Sequence, residues 1–252
     1  MKYGFSTLAL FMNSFETMLD KGTQDGFKCM EILCEGPYWP RNILGDKCIN
    51  FEIFESYDID IFLHAPTVDL NPASVNPGIR EETKKQMKET VDLAIEIEAK
   101  AITTHPGIIR REEERLRGMA IEWSIENIIE CVDYSDSRGI SFSIENMPNR
   151  YVYLANSAHE HELIVRECGC NATVDMGHAN TTSDPSEFLN INKTIYFHLS
   201  DNDGQKDQHL PLGDGSMDLN LLKNIEVGII ELNSYESVLK SKKVLNRINN
   251  SN

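Results

Sequence analysis

The sequence predicts a single-domain α/β protein, a (β/α)8 TIM barrel, from three observations. Strand-like apolar segments and helix-like amphipathic segments alternate along the chain and make eight β-then-α units. The length of 252 residues is typical of one such barrel, and no low-complexity linker divides it. Six of the strand-like segments end in residues of metal-ligand type, at the strand ends where such barrels keep their chemistry. We therefore expect residues 1–252 to form one domain.

The eight strands are expected at regular intervals along the chain. They cover residues 3–9, 28–34, 59–66, 100–107, 140–146, 171–175, 194–199 and 226–231. Helical periodicity predicts helices over roughly residues 14–23, 46–55, 76–99, 111–137 and 156–168, from 184, near 219, and over 234–249. Ser14 is the expected cap of the first helix, and Asn76 and Pro77 open the third. Gly139 is expected to end the fourth helix, and the prolines within residues 36–42 predict a loop.

A doubly wound open sheet is the alternative fold for this alternation. It would need a glycine-rich phosphate loop after the first strand, and residues 6–8 read Ser-Thr-Leu instead. In the fifth strand, Phe142 and Ile144 alternate with Ser143 and Glu145. Small polar residues on one side and apolar residues on the other are typical of a barrel with a polar mouth, so the barrel is favoured.

The composition is acidic, which restricts the partners that the chain attracts. Lysine and arginine number 24 against 40 aspartate and glutamate, so the net charge is −16. A negative protein stays soluble and does not attract nucleic acid non-specifically. A polyanionic substrate is still compatible with this charge, because bound divalent ions would add positive charge at the pocket.

The chain carries no sequence signal for secretion or for a membrane. Its apolar start is broken at Asn13 and Glu16, and no window approaches the roughly 18–20 apolar residues of a membrane span. We therefore expect a cytoplasmic protein without a membrane partner. The six cysteines lack zinc-ribbon spacing, and Cys168 and Cys170 are either a chelating or oxidisable pair or incidental buried thiols.

Nine residues of metal-ligand type stand at or just after the ends of the last six strands. They are His64, His105, Glu145, Asp175, His178, His198, Asp207, His209 and Glu231. Histidine and carboxylate without thiolate favour zinc, manganese, cobalt or iron over a closed structural zinc site. These ligands exceed what one ion accepts, so two or three centres are expected, and Glu145 is suited to bridge a pair. Clustered divalent ions generate hydroxide and neutralise phosphoryl oxygens, which favours phosphoester hydrolysis.

The motifs around these residues resemble those of a known superfamily. They are HAP (64–66), THPG (104–107), IEN (144–146), VDMGHAN (174–180), HLSDN (198–202), DQH (207–209), LGDGSMD (212–218) and IEL (230–232). In this order they resemble the motifs of the xylose-isomerase-like TIM barrels and, within that superfamily, those of endonuclease IV, the apurinic/apyrimidinic endonuclease. The resemblance runs from the third strand to the eighth. It implies a zinc phosphodiesterase that repairs abasic DNA by means of a metal-bridging hydroxide.

The resemblance also implies how the ligands divide among three zinc ions, with Mn²⁺ or Mg²⁺ as alternative metals. One ion would be held by His64, His105 and Glu145, a second by Glu145, Asp175, His198 and Glu231, and a third by His178, Asp207 and His209. Abasic DNA is then the expected partner.

Two single positions and one four-residue segment depart from the endonuclease pattern. Thr67 stands where the family has an aromatic residue that helps to penetrate DNA, and Gln208 replaces an arginine suited to phosphate. Residues 200–203 read Ser-Asp-Asn-Asp in place of Asn-Asp-Ser-Lys. These departures remove cationic and aromatic contacts that a DNA substrate would use.

Three further residues are predicted to contact the substrate. Asn146 follows Glu145 in the IEN motif, and Trp39 and Arg41 lie in the second βα loop with Tyr38. A lid or a DNA contact is one interpretation of this loop, and a packed loop with a surface arginine is the other.

A sugar or sugar-phosphate isomerase or epimerase of the same superfamily is the competing interpretation. Such an enzyme would bind one Mn²⁺ or Mg²⁺ at the second ligand set, and Glu145 and Glu231 would exchange a proton with the substrate carbon. His64 and His178 would contact hydroxyls, and a small phosphorylated sugar would be the substrate. A catalytically inactive barrel is a third class, but it would require lost ligands, and none is lost. In either enzyme Glu145 and Glu231 are the predicted catalytic residues, and the number of bound ions distinguishes the two.

Overall fold

Eight parallel strands form a closed barrel in the computed structural model, which describes residues 2–249. The strands are β1 (Lys2–Ser6), β2 (Cys29–Leu33), β3 (Asp60–His64), β4 (Ala101–Thr104), β5 (Ser141–Glu145), β6 (Asn171–Asp175), β7 (Thr194–Leu199) and β8 (Val227–Ile230). Each strand pairs in parallel with the next, and β8 pairs with β1 to close the sheet. The predicted fold class is therefore confirmed. Residues 1 and 250–252 of the expected domain lie outside the described residues.

Helices follow the strands and cover the outside of the barrel. They are α1 (Phe15–Gln24), α2 (Pro40–Gly45), α3 (Glu52–Glu55), α4 (Pro77–Glu96), α5 (Glu114–Asp136), α6 (Ala158–Cys168), α7 (Met176–Ala179) and α8 (Tyr235–Asn249), with 3-10 turns at Thr7–Leu10, Gly36–Tyr38, Pro185–Asn190 and Leu219–Leu222. The side chains of Ser14 and Asn76 accept backbone N–H groups at the starts of α1 and α4, as their sequence positions predict. Between residues 2 and 249, no helix is long and apolar enough to span a membrane.

Two parts of the predicted secondary structure were wrong. Residues 36–42 were expected to be a loop, but α2 begins within them at Pro40, because proline is tolerated in the first turn of a helix. The helix expected over residues 46–55 shrinks to the four residues of α3. The short helix α7 was not expected; it follows β6 directly, and the side chain of Asp175 caps it.

Candidate metal centre

The two-residue period of the strands explains why the predicted ligands converge. A separate buried cluster consists of Cys29, Phe62, Ala101, Tyr196 and Ile229, one from each of five strands. We take this cluster to mark the inside of the barrel, and side chains two residues apart on a strand face the same side. His64 lies two residues beyond Phe62 in β3. His198 lies two residues beyond Tyr196 in β7, so the ligands form the next layer toward the C-terminal mouth.

The structure brings all nine predicted ligands together in three groups, and in each group the ligand atoms lie within 4.8 Å of one another. The first group is His64, His105 and Glu145; the second is Glu145, Asp175, His198 and Glu231; the third is His178, Asp207 and His209. Every member is buried or half-buried. These are the divisions that the motif resemblance implies.

Glu145 occupies the position of a bridge between the first and second groups. Its Oε2 atom lies 3.2 Å from Nε2 of both His64 and His105. Its Oε1 atom lies 2.9 Å from Nδ1 of His198. The two oxygens of one carboxylate thus face two different groups, which is what a carboxylate that joins two ions must do. Its side chain is only 1% exposed, so its charge is shielded from water and acts strongly on both groups.

Three of the histidines are oriented by hydrogen bonds to backbone carbonyl groups. Nδ1 of His64 lies 2.9 Å from the carbonyl oxygen of Ala65. Nδ1 of His178 lies 2.8 Å from the carbonyl oxygen of Asn146. In His209 the same atom lies 3.0 Å from the carbonyl oxygen of Glu231. A bond from Nδ1–H to a carbonyl fixes the tautomer and leaves Nε2 free as an acceptor, which is the usual arrangement of a metal-binding histidine.

Glu31 orients the fourth histidine, and the sequence interpretation did not include it. Its Oε2 atom lies 3.0 Å from Nε2 of His198 and accepts a hydrogen bond of 2.8 Å from the Tyr196 hydroxyl. Although burial opposes its ionisation, contact with His198 lowers the pKa of the Glu31 carboxyl. A carboxylate behind a ligating histidine makes the ring more basic and fixes its orientation. The signal in the sequence was a charged residue in the middle of the apolar strand KCMEILC.

Besides Oε1 of Glu31, two buried carboxylate oxygens of the ligand groups themselves have no hydrogen-bond partner among the described residues. They are Oδ2 of Asp175, in the second group, and Oδ1 of Asp207, in the third. A buried anionic oxygen without a partner is costly, so such atoms require an explanation. A cation in each group would satisfy them, and the oxygen and imidazole ligands suit a divalent transition metal. The residues present therefore fit the metal that the motifs imply.

The electrostatics of the groups also indicate cation binding. Burial opposes the charge on His64 and His209, but their hydrogen bonds to Glu145 and Asp207 raise the pKa of each imidazole to about 9. Burial raises the pKa of Asp175 to about 6. The carboxylates thus hold positive charge in the form of protonated histidine, and a divalent ion would compete with those protons for the same atoms.

The third group depends on the loop between β7 and β8. The buried carboxylate of Asp201 accepts backbone N–H bonds of 2.9, 3.1 and 3.1 Å from Gly213, Gly215 and Met217, which draws the far end of the loop back onto β7. His209 has a positive φ of 49°, a conformation that few residues other than glycine adopt. The loop therefore holds His209 in an uncommon backbone conformation that directs its ring toward Asp207.

A pocket of about 290 Å³ lies over the three groups. The metal-ligand residues His105, Glu145, His178, Asp207, His209 and Glu231 line its floor, and Leu70, Met87, Ile108 and Met147 line its wall. Of the described residues that line this pocket, none is lysine or arginine. Any anionic group bound there would have to be neutralised by metal or by protonated histidine.

The three residues predicted to contact the substrate lie away from the open pocket. The guanidinium of Arg41 forms ion pairs of 2.7 and 2.8 Å with Glu82 and Glu89 on α4. Trp39 precedes α2 and is half-buried. The Asn146 amide is fully engaged with the backbone of Asp175, with contacts of 2.7 and 3.0 Å. None of the three lines the pocket over the ligand groups, and their role with substrate stays a prediction.

The cysteines are free thiols in the described structure, and Cys48 is the exposed one. Cys168 and Cys170 are both buried, at the end of α6 and just before β6. Neither belongs to a ligand group formed by the described residues. Their burial favours the interpretation as incidental thiols.

Comparison with known proteins places this arrangement in context. The family model described as xylose isomerase-like TIM barrel matches residues 19–228. An uncharacterized protein of Methanocaldococcus jannaschii is 31% identical over 262 aligned positions, which cover 97% of this chain and 88% of that protein. The sequence similarity thus extends through the six strands that carry the ligand groups.

Two solved structures with different names share this fold. A D-tagatose 3-epimerase-like protein superposes with a TM-score of 0.86 and 29% identity, over 98% of this chain and 97% of that one. Endonuclease IV from Thermus thermophilus superposes with a TM-score of 0.77 and 17% identity over the full length of both chains. At that identity the second likeness concerns the fold alone.

Proposed function

Because this chain belongs to the xylose isomerase-like TIM barrel family, we propose that it is a metal-dependent phosphoesterase with a site for three divalent ions. The activity that its site supports best is the hydrolysis of a phosphoester next to a sugar, as in endonuclease IV. Zinc is the metal that we propose first, because five histidines and four carboxylates form the ligand set.

The single observation that carries this proposal is the third ligand group. Nε2 of His178 and Nε2 of His209 lie 3.3 and 3.0 Å from Oδ2 of Asp207, whose other oxygen is buried without a partner among the described residues. A mononuclear isomerase would bind no ion at this third group and would not need Asp207 or His209. Its presence beside two further groups favours chemistry in which several ions act on one phosphoryl group.

The protein's own side chains would prepare the site for that reaction. When bound, the ions would provide a hydroxide near neutral pH and neutralise the charge that develops on phosphate oxygens. Glu145, which belongs to both the first and the second ligand group, would help to hold an ion in each. Glu31 would keep the His198 ring in place, and the apolar wall formed by Leu70 and Met87 would exclude bulk water from one side of the substrate.

The charge of the protein limits the DNA that it would bind. The net charge is −16, Thr67 and Gln208 replace DNA-contacting residues of the endonuclease pattern, and Arg41 is already paired with two glutamates. Duplex DNA is held by many cationic contacts with phosphate. We therefore propose that long undamaged DNA binds weakly, and that the substrate is abasic DNA cleaved at low efficiency or a small phosphorylated sugar.

A second candidate is a sugar or sugar-phosphate epimerase, which two observations favour. The D-tagatose 3-epimerase-like structure is the more similar of the two solved structures compared above. Glu145 and Glu231 also lie in one ligand group, where an oxygen of each lies 2.9 and 3.2 Å from Nδ1 of His198. In this reaction the second group would bind one ion, and the two glutamates would exchange a proton with the substrate.

Counting ions in the purified protein separates these functions. We expect elemental analysis to find two or three transition-metal ions per chain under metal-replete conditions. The same preparation should cleave bis(p-nitrophenyl) phosphate or an abasic oligonucleotide and should leave free ketoses unchanged. At most one ion, together with epimerisation of a ketose or its phosphate, would exclude the hydrolase and establish the epimerase.

A further inference from the structure

A second cavity opens beside the metal pocket and carries the positive charge that the metal pocket lacks. It has a volume of about 580 Å³. Pro148, Tyr153 and Asp207 line both cavities, so the two meet at the third ligand group. A molecule bound at the metal pocket could therefore extend into this second cavity.

Two basic side chains line the second cavity, Arg150 from the loop after β5 and Lys206 from the loop after β7. Other arginines are held by carboxylates: Arg41 pairs with two glutamates and Arg117 with Glu160. Within residues 2–249, no such ion pair forms at Arg150 or Lys206; the Arg150 guanidinium lies 5.9 Å from the Tyr153 ring centre. Lys206 interacts with the Asp203 carboxylate beyond salt-bridge distance. On a chain of net charge −16, two cations outside any salt bridge of the described residues at one cavity are suited to an anionic ligand.

Hydrogen bonds fix the backbone segments that carry these cations. The N–H of Asn149 donates to the Thr181 hydroxyl over 2.8 Å, and that hydroxyl donates to the carbonyl of His178 over 2.7 Å. On the other side, the N–H of Lys206 donates to the Asp203 carboxylate over 3.0 Å. The Arg150 segment is thus tied to the residue that supplies a ligand of the third group. Lys206 itself directly precedes another such ligand in the chain.

We propose that this cationic cavity, formed by Arg150, Thr181, Gln205 and Lys206, binds a non-reacting phosphate of a small phosphorylated sugar. The sugar would lie in the metal pocket with its reacting group at the ions; this position of the reacting group rests on the proposed function. An arginine fork and a lysine are the side chains that bind phosphate most effectively. A pocket of about 290 Å³ accommodates a small molecule better than a duplex, so the free sugar phosphate is the ligand that the dimensions favour.

The test measures whether a sugar phosphate is preferred over the same sugar without phosphate. The probes are 2-deoxy-D-ribose 5-phosphate and 2-deoxy-D-ribose, titrated calorimetrically into the metal-loaded full-length protein. We expect the phosphorylated probe to bind at least about tenfold more tightly, and the Arg150→Gln/Lys206→Gln variant to lose that preference. The matched control is Lys100→Gln/Arg166→Gln, which removes the same charge outside this cavity. Lys100 directly precedes β4, and Arg166 lies in the last turn of α6.

Each contrary result has a distinct meaning. Equal binding of the two probes by the wild-type protein, or no binding of either, would overturn the proposal. A preference for the phosphorylated probe that survives in the double variant would also overturn it, because the phosphate would then lie on the ions. A double variant that loses affinity for an abasic oligonucleotide but not for the sugar phosphate would make the cavity a DNA contact instead. Metal content and bis(p-nitrophenyl) phosphate cleavage, measured on the same samples, report separately on the proposed function.

Discussion

The second and third ligand groups lie side by side but are built in different ways. Glu145, Asp175 and His198 of the second group stand at the ends of β5, β6 and β7, and their side chains are no more than 1% exposed. In the third group, Asp207 and His209 come from a loop, and their side chains are 22% and 19% exposed. The barrel register places these three residues of the second group, and neighbours such as Glu31 then orient their side chains. In the third group, loop hydrogen bonds position Asp207 and His209.

This difference separates the part of the site that both candidate functions share from the part that distinguishes them. A hydrolase and an epimerase both use the strand-built second group. Only the multinuclear hydrolase would bind an ion at the third group, and only it would need the loop residues Asp207 and His209. Loops accept sequence change more readily than strands, so function is expected to diverge there first. The following predictions test that division, beginning with the largest expected effect.

Loss of the bridging carboxylate should damage both strand-built groups at once. We expect Glu145→Gln to reduce the ion content by at least one per chain and phosphoester cleavage by about 10³-fold, since metal ions contribute several kcal/mol to such reactions. Elemental analysis and steady-state kinetics provide the measurements. Glu130→Gln, which removes a surface carboxylate paired with Lys84, should change neither. An unchanged ion content in Glu145→Gln would show that this residue does not bridge.

Loss of a loop ligand should affect one ion and leave the strand-built groups intact. We expect His209→Ala to release the third ion, to keep those at the first and second groups, and to reduce phosphoester cleavage by about 10²-fold. Anomalous diffraction at the zinc edge and cleavage assays would measure the two effects. The exposed His159, changed to alanine, is the control on helix α6. Full turnover by His209→Ala would contradict the hydrolase and remove the functional contrast between the groups.

Loss of the carboxylate behind His198 should weaken the second group selectively. Because Glu31 contacts Nε2 of His198 and not the ligand atom, Glu31→Gln should reduce metal affinity at the second group by about 10- to 100-fold. Tyr196→Phe removes only the hydroxyl that donates to Glu31, so its effect should be smaller. Competition with a metal chelator would measure both affinities. Equal weakening of the third group would mean that Glu31 acts on the fold as a whole.

The last prediction concerns the stability of the fold rather than metal binding, and it involves the buried His161, which supports the strand side of the site. Its Nε2 lies 2.8 Å from the carbonyl oxygen of Ile144, and burial lowers its pKa from 6.5 to about 4. Below pH 6.5 the unfolded chain binds a proton that the folded chain does not, so stability falls as the pH approaches 4. We expect a contribution of about 1.4 kcal/mol per pH unit in this interval.

Urea unfolding at several pH values between 4 and 7 would measure this contribution. The wild-type protein should lose more stability on acidification than His161→Gln, whose amide can still donate to Ile144. Parallel pH dependences of the two proteins would show that His161 is protonated in the folded state.

The sequence by itself determined the barrel and selected the nine residues of metal-ligand type that the structure brings together. Strand-end residues such as His64 and His198 are predictable because a two-residue period places them at one end of a parallel barrel. Errors occurred where local signals compete: Pro40 was taken as a loop residue, yet proline also begins helices. Asp175 was predicted as a ligand, but its second role as the cap of α7 was not foreseen.

Only the tertiary structure decided which residues act through another residue. Glu31 and His198 are far apart in the chain. No local pattern shows that the Glu31 carboxylate lies 3.0 Å from Nε2 of the His198 ring. In the same way, only the structure shows that the guanidinium of Arg41, a predicted substrate contact, forms ion pairs with Glu82 and Glu89. The physical reason is that strand period and turn chemistry are local properties of the chain. Side-chain pairing across a barrel depends on register and loop closure, which only the folded molecule defines.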